Sequence, residues 1–258
     1  LGYQRFPDLF WGVGSTTPNS NEEAFEVDSI IVENDVRWRF HEHAFVAGQQ
    51  RYYRFVSIAD GPESLLATQD FVGEGTDVAS GLGAAVAFDN RNNLFYTTRG
   101  SFTQFSVIAF EPWLGSSRRF QRLELDLRQF IPTFSDHALG LQFFGQFHPG
   151  RPGINAMARL GGANFLRGIY QGRYRDKNMW IAQAEYRAML FWRIGVAAFG
   201  GVGDVFDRFD ELRADTIKWS AGGGLRFRLS DDGINIRVDA GFGSDNAFGY
   251  YLVVREAF

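Results

Sequence analysis

The sequence predicts an all-β fold: a transmembrane antiparallel β-barrel of about twelve strands, with one extracellular loop folded into its lumen. Three observations carry that reading. The chain combines 30 Gly with 27 Phe, 9 Tyr and 6 Trp, a mixture that suits pleated strands and interfacial belts, whereas Gly is costly in a helix. Apolar and polar residues alternate with period two through many segments. The connections between those segments alternate between short and long, as they do in barrels whose two rims face different compartments.

Composition narrows the class further. At 258 residues and 45% hydrophobic, the chain can bury its core as one domain. Residues 1–258 are therefore read as a single barrel domain, with no periplasmic soluble module among them. A net charge of −4 leaves no basic footprint for nucleic acid. The absence of cysteine excludes disulfides and thiolate zinc sites. No run approaches the length of about 18 apolar residues that a transmembrane helix needs, and LGYQRFPDLF lacks the layout of a signal peptide. Any crossing of a membrane must be made by strands.

In order, strands are expected at 2–7, 29–40, 44–58, 79–89, 100–112, 119–130, 137–148, 178–190, 192–203, 216–228, 233–242 and 248–258. Each is near the length that spans a bilayer when tilted. In the second, Glu33, Asp35, Arg37 and Arg39 oppose Val32, Val36, Trp38 and Phe40. In the sixth, Arg122, Glu124, Asp126 and Arg128 oppose Leu123, Leu125 and Leu127, and in the eleventh Arg237 and Asp239 oppose Ile234, Ile236 and Val238. Trp180 and Tyr186 of the eighth join the lipid-facing set. Tight or modest turns follow the even strands, while long loops follow the first, third, seventh and ninth. A β-sandwich also alternates, but has no reason to segregate its loops by rim. The same pattern fits the C-terminal twelve strands of a barrel of about sixteen.

The end of the chain, GYYLVVREAF, alternates through Tyr250, Leu252 and Val254 to a terminal Phe258. It resembles the C-terminal targeting signal of bacterial outer-membrane proteins, which implies the barrel-assembly machinery of the cell as a partner. Glu256 departs from that signal, which is apolar or uncharged there. The plainer reading makes Phe258 a girdle aromatic at the membrane interface.

One stretch breaks the alternation. LGGANFLRGIYQGRYRDKN, residues 160–178, carries Arg167, Arg173, Arg175 and Lys177 with the single acid Asp176. Left in water, this loop would expose Phe165, Leu166, Ile169, Tyr170 and Tyr174. Folded inward it hides them, and its arginines then need carboxylate partners, since an unpaired buried charge is costly. The polar strand faces offer Glu124, Asp126, Glu185 and Asp239. Arg167 is the natural candidate, with Gly168 free to turn the tip sharply. The alternative is a solvated, cationic loop face.

LRGI at 166–169, followed by GRYRD at 172–176, resembles the sixth-loop motif of the outer-membrane assembly and secretion barrels. That superfamily, typified by BamA, TamA and FhaC, is also called the bacterial surface antigen family. Ile169 stands in place of its usual aromatic. AFDNRNNLFYTTRGSF at 87–102 is similar to the family turn through Asp89, Arg91, Asn93 and Gly100, without the usual proline. FWGVGSTTP at 10–18 is similar to a segment after an early strand. AQAEYR at 182–187 puts Glu185 where the family has the acidic partner of the loop arginine, and AAFGGVGDVFD at 197–207 matches through Phe199, Gly203 and Val205. Gly201 takes the position of the usual Asp, so Glu185 alone or Asp204 must complete the site.

The resemblance implies a barrel in the outer membrane of a Gram-negative bacterium, its lumen occupied by a loop fixed through Leu166, Arg167, Gly168 and Glu185. Arg173, Arg175, Asp176, Glu124, Asp126 and Asp204 are the supporting candidates. It implies a weak seam between first and last strands, and a role in inserting or transporting protein or lipid. The partners expected are outer-membrane lipids, the assembly machinery and a protein or lipid client. A plugged or gated channel without assembly activity is the alternative. No cofactor is expected, and no enzyme: His41, His43, His137 and His148 lack a nucleophile or third metal ligand at recognisable spacing.

Overall fold

The computed structural model describes residues 2–59, 61, 63–68, 75–230 and 232–258. Its strands are β1 (Gly2–Phe10), β2 (Glu23–His41), β3 (Ala44–Ala59), β4 (Thr76–Asp89), β5 (Gly100–Phe110), β6 (Phe120–Pro132), β7 (His137–Phe147), β8 (Ala158–Leu160), β9 (Tyr174–Asp176), β10 (Asn178–Phe191), β11 (Ile194–Phe206), β12 (Lys218–Arg228), β13 (Asn235–Gly243) and β14 (Ala247–Val254). All but β8 and β9 form one 12-stranded antiparallel sheet in chain order from β1 to β14. The short β8–β9 hairpin is separate. Among the described residues no ladder joins β1 to β14.

Period two decides which side each residue takes. On β6, Asp126 is buried and Leu127 exposed; on β14, Tyr250 and Leu252 are 80% and 74% exposed. Leu125 stands opposite Phe105 of β5 and Gly145 of β7, so the three form a continuous outer row. Trp38, Phe40, Phe88, Trp192 and Phe227 expose their rings near the short-turn end, the place of an aromatic girdle. The expected strands are all present, though β1 and β2 extend further toward the long-loop rim than the alternation indicated.

One rim carries 11–22, 60–75, 111–119, 148–177, 207–217 and 244–246, and the other 42–43, 90–99, 133–136, 192–193 and 229–234. Residues 60, 62 and 69–74 of the loop after β3, and 231 of the last short turn, lie outside the described residues. The turn 90–99 is longer than its rim requires because it folds across the barrel mouth. Asp89 holds Arg91 in a two-pronged pair at 2.9 and 2.7 Å. Asn93 Oδ1 accepts from the backbone of Phe95 and Tyr96, while its Nδ2 donates to Asp232 O at 2.8 Å. The buried Tyr96 donates its hydroxyl to Asp136 O at 3.0 Å. The D-x-R-x-N motif thus builds a strap that ties three turns together on the short-turn side.

Leu125 lies midway along an outer row, so Leu125→Arg is expected to destabilise the barrel by about 2–4 kcal/mol. Urea unfolding in bilayers, followed by the mobility of the folded band on gels, reads this out. Glu124→Gln, on the inner face, should leave insertion unchanged; equal damage from both would mean that the faces are reversed.

Candidate functional site

The loop between β7 and β10 enters the lumen on the stem of the β8–β9 hairpin. Its apolar side is held by Ala158, Leu160, Leu166, Ile169, Tyr174, Met179, Ile181 and Val205, one buried cluster shared between loop and wall. The tip therefore presents its arginines to the polar inner faces without leaving apolar groups in water. Gly168 has φ +115°, and a Cβ there would stand 2.7 Å from the backbone of Gly241 on β13. Only glycine permits the loop backbone to lie so directly on the wall. Leu166 adopts φ +40° just before it, the strained conformation that aims Arg167 at the wall.

Arg167 is 1% exposed. Its Nη2 donates to Glu185 Oε2 on β10, and its Nη1 donates to Asp239 Oδ2 on β13 at 2.7 Å. The guanidinium lies 3.5 Å from the ring centroid of Phe199 on β11, a cation–π contact strengthened by desolvation. Both carboxylates are shared. Arg187 Nε donates to Glu185 at 2.6 Å, Arg226 reaches Glu185 at 3.3 Å and Asp239 at 2.5 Å, and Arg237 donates to Asp239 at 2.5 Å. Glu256 completes the group, accepting from Arg226 Nε at 2.8 Å. The result is a dry, alternating-charge cluster that joins the loop tip to three neighbouring regions of the wall.

The Omp85 superfamily domain matches residues 16–242. The chain belongs to the Omp85 superfamily. It is similar in structure to BamA from Haemophilus ducreyi lacking POTRA domains 1–3, at 12% identity and a TM-score of 0.66. That match covers 96% of this chain and 57% of the BamA chain, so the sequence spans little more than half of it. No curated protein matches the chain.

Within this Omp85 barrel the second carboxylate is not the one expected. Asp204 pairs in register with the outward-facing Trp180, while its neighbours Gly203 and Val205 face the loop. Thr216 Oγ1 at 2.5 Å and the Val205 N–H at 2.9 Å hold it on that outer side, away from Arg167. Asp239 takes the role instead. Gly201 explains the exchange: a Cβ there would meet Gln183 Cβ at 2.7 Å and Leu166 Cδ2 at 2.9 Å. The loop leucine fills the space in which a longer side chain at 201 would stand.

The other supporting candidates divide the work. Arg173 donates to Thr17 Oγ1 at 2.9 Å, Thr17 O at 2.7 Å and Asn19 Oδ1 at 2.7 Å, tying the plug to the first long loop through neutral acceptors. Arg175, fully buried, has its nearest carboxylate, Asp8, at 3.5 Å and its guanidinium beside Phe10. Glu124 and Asp126 do not reach Arg167. Asp126 is engaged by Arg128 at 2.5 Å and Gln142 at 2.9 Å, and Glu124 meets Ser106 at 3.5 Å. Asp176 accepts from the Lys177 N–H at 2.7 Å. Burial, reinforced by Asp207 and Glu211, pushes its carboxyl up to about 6.

The chain end also departs from expectation. Tyr250, Leu252 and Val254 face outward, but Phe258 does not join them in a girdle. It is 6% exposed and packs inside against Phe130, with ring centroids 6.2 Å apart. Its carbonyl accepts from Arg187 Nη2 at 2.9 Å. The sequence places Arg237 on a polar strand face and marks Glu256 as out of pattern, but assigns none of Arg187, Arg226, Arg237 and Glu256 to this site. The one signal was Glu256, the acid where a lipid-facing residue would be apolar.

Arg167→Ala is expected to cost about 3–5 kcal/mol by stranding buried carboxylates, against 0–1 kcal/mol for an exposed pair. Arg213, paired with Asp215 with 69% and 64% of their side chains exposed, is the comparison. Arg118 is unsuited to that purpose because it lies 3.5 Å from the buried Asp77. Equal urea midpoints for Arg167→Ala and Arg213→Ala would exclude a buried pair. A second expectation concerns pH. The Asp176 carboxyl is raised from 3.8 to about 6, so its contribution to stability is present below the lower value and lost as pH rises through the upper one. Asp176→Asn should therefore stabilise the fold near pH 8 and change little near pH 4. A gain of the same size at both would contradict the buried carboxyl.

Proposed function

We propose that this Omp85 barrel acts in the outer membrane to insert or transport protein or lipid, and that residues 160–173 close its lumen until a client engages. The observation that carries the proposal is the clamp: a loop tip bound through Arg167 to two wall carboxylates, each shared with further arginines. A surface loop has no need of such an arrangement. A plug that must hold firmly and leave as a unit does, since removing one member destabilises the rest.

Two loop contacts add to this. Tyr170 donates to Asp8 Oδ1 on β1 at 3.0 Å, and Tyr251 on β14 accepts from the Gly168 N–H at 3.0 Å. The plug thus touches both strands at the ends of the described sheet order. Outer-membrane lipids and the barrel-assembly machinery are its proposed partners, the latter through the β14 sequence. The reading contains no catalytic step; Glu185 and Asp239, the acids that meet the loop tip, are engaged by arginines.

Proteoliposomes holding the protein should speed the folding of a urea-denatured outer-membrane barrel protein, or the transfer of a labelled phospholipid, relative to empty vesicles. Planar bilayers should show low or flickering conductance. A steady, large conductance from the unaltered protein, with no acceleration in either assay, would instead identify an open channel and overturn the proposal.

A further inference from the structure

Strand β14 ends at Val254, and the chain then turns into the lumen. Arg255 has φ +82°, its N–H donates to Asn235 O at 2.7 Å, and its carbonyl accepts from Arg237 Nε at 3.1 Å. Glu256 follows, nearly fully buried. Its Oε2 accepts from Arg226 Nε at 2.8 Å and lies 3.7 Å from Arg187 Nε, while Oε1 accepts from Asn235 Nδ2 at 2.8 Å. Phe258 is gripped by Arg187 through both carbonyl and ring. Residues 255–258 therefore occupy a site on the inner wall made largely of arginines.

Those arginines are the ones that surround the plug. Arg226 and Arg187 hold Glu185, and Arg226 and Arg237 hold Asp239. We infer that plug and tail are two ligands of one charge cluster, so that release of either weakens the hold on the other. The sign follows from the charges. Arg167 and Glu256 are opposite charges in one desolvated group, so withdrawing Arg167 removes attraction that holds the tail. Losing the Glu256 charge leaves Arg167, Arg187, Arg226 and Arg237 facing only Glu185 and Asp239, and the excess positive charge pushes on Arg167. Such coupling is reciprocal by thermodynamic necessity. The end of the last strand is thereby tied to the state of the lumen, so the strand is held while the plug is seated and loosened when it leaves.

This inference rests on residues 160–173 being a releasable plug, and the test separates the two ideas. The sequence contains no cysteine, so Ile169→Cys in the plug and Ala257→Cys in the tail give single reporters for maleimide labelling of the full chain in liposomes. Arg167→Ala should raise the labelling rate of Ala257→Cys at least about fivefold, and Glu256→Gln should do the same for Ile169→Cys. If Arg167→Ala exposes Ile169→Cys but leaves Ala257→Cys at its original rate, the coupling is overturned and the plug stands. If it exposes neither, both fall. Should Arg167→Ala fail to give a folded, heat-modifiable band, Arg167→Lys keeps the charge but loses the two-pronged geometry. It should raise both rates together; a change confined to Ile169→Cys would again overturn the coupling.

Discussion

The rest of this structure depends on a desolvated cluster in which Arg167, Arg187, Arg226 and Arg237 share Glu185, Asp239 and Glu256. Burying charge is unfavourable unless every member finds a partner, and in a half-filled network the remaining groups are stranded. The members come from the plug, from β10, β12 and β13, and from the tail. None of these can shift far without breaking pairs made by the others. The lumen is therefore fixed by mutual satisfaction of charges more than by apolar packing, the reverse of the usual balance in a water-soluble core.

The wall is shaped to permit this. A barrel of this strand number has an interior that side chains alone do not fill, so a folded loop becomes its core. The apolar side of the loop packs on Met179, Ile181 and Val205, and its cationic side meets the acids. Glycine at 241 lets the two backbones touch, and glycine at 201 receives Leu166. Apolar contact sets the depth of the loop, and charge sets its rotation.

Strands, rims and the inward course of residues 160–178 are legible in the sequence because they follow from local periodicity and from the cost of exposing Phe165, Leu166 and Ile169. The pairing of Arg167 with Glu185 is legible too, through the resemblance of LRGI and AQAEYR to known barrels. Asp204 and Asp239 show where legibility ends. Proximity in sequence to a family motif favoured Asp204, yet strand alternation puts it on the outer face between two inward neighbours. Asp239 faces inward by the same rule, but its meeting with Arg167 depends on the curvature that brings β13 beneath a loop from β7. No local pattern encodes that. The turn at Arg255 was equally hidden, because extending the alternation of β14 carries Phe258 outward.

The plug also links the two ends of the described sheet. Antiparallel strands are normally fixed to their neighbours by backbone ladders, and within hydrocarbon an unpaired edge is costly. Between β1 and β14 the described residues show no such ladder, and the loop reaches both strands through side chains, by Tyr170 to Asp8 and by Gly168 to Tyr251. A side-chain bridge differs from a ladder in a way that matters for an Omp85 barrel. A ladder must be broken residue by residue, whereas a bridge carried on a plug leaves with the plug. The link that the loop makes between β1 and β14 is then set inside the lumen, by the same buried charges that hold Arg167.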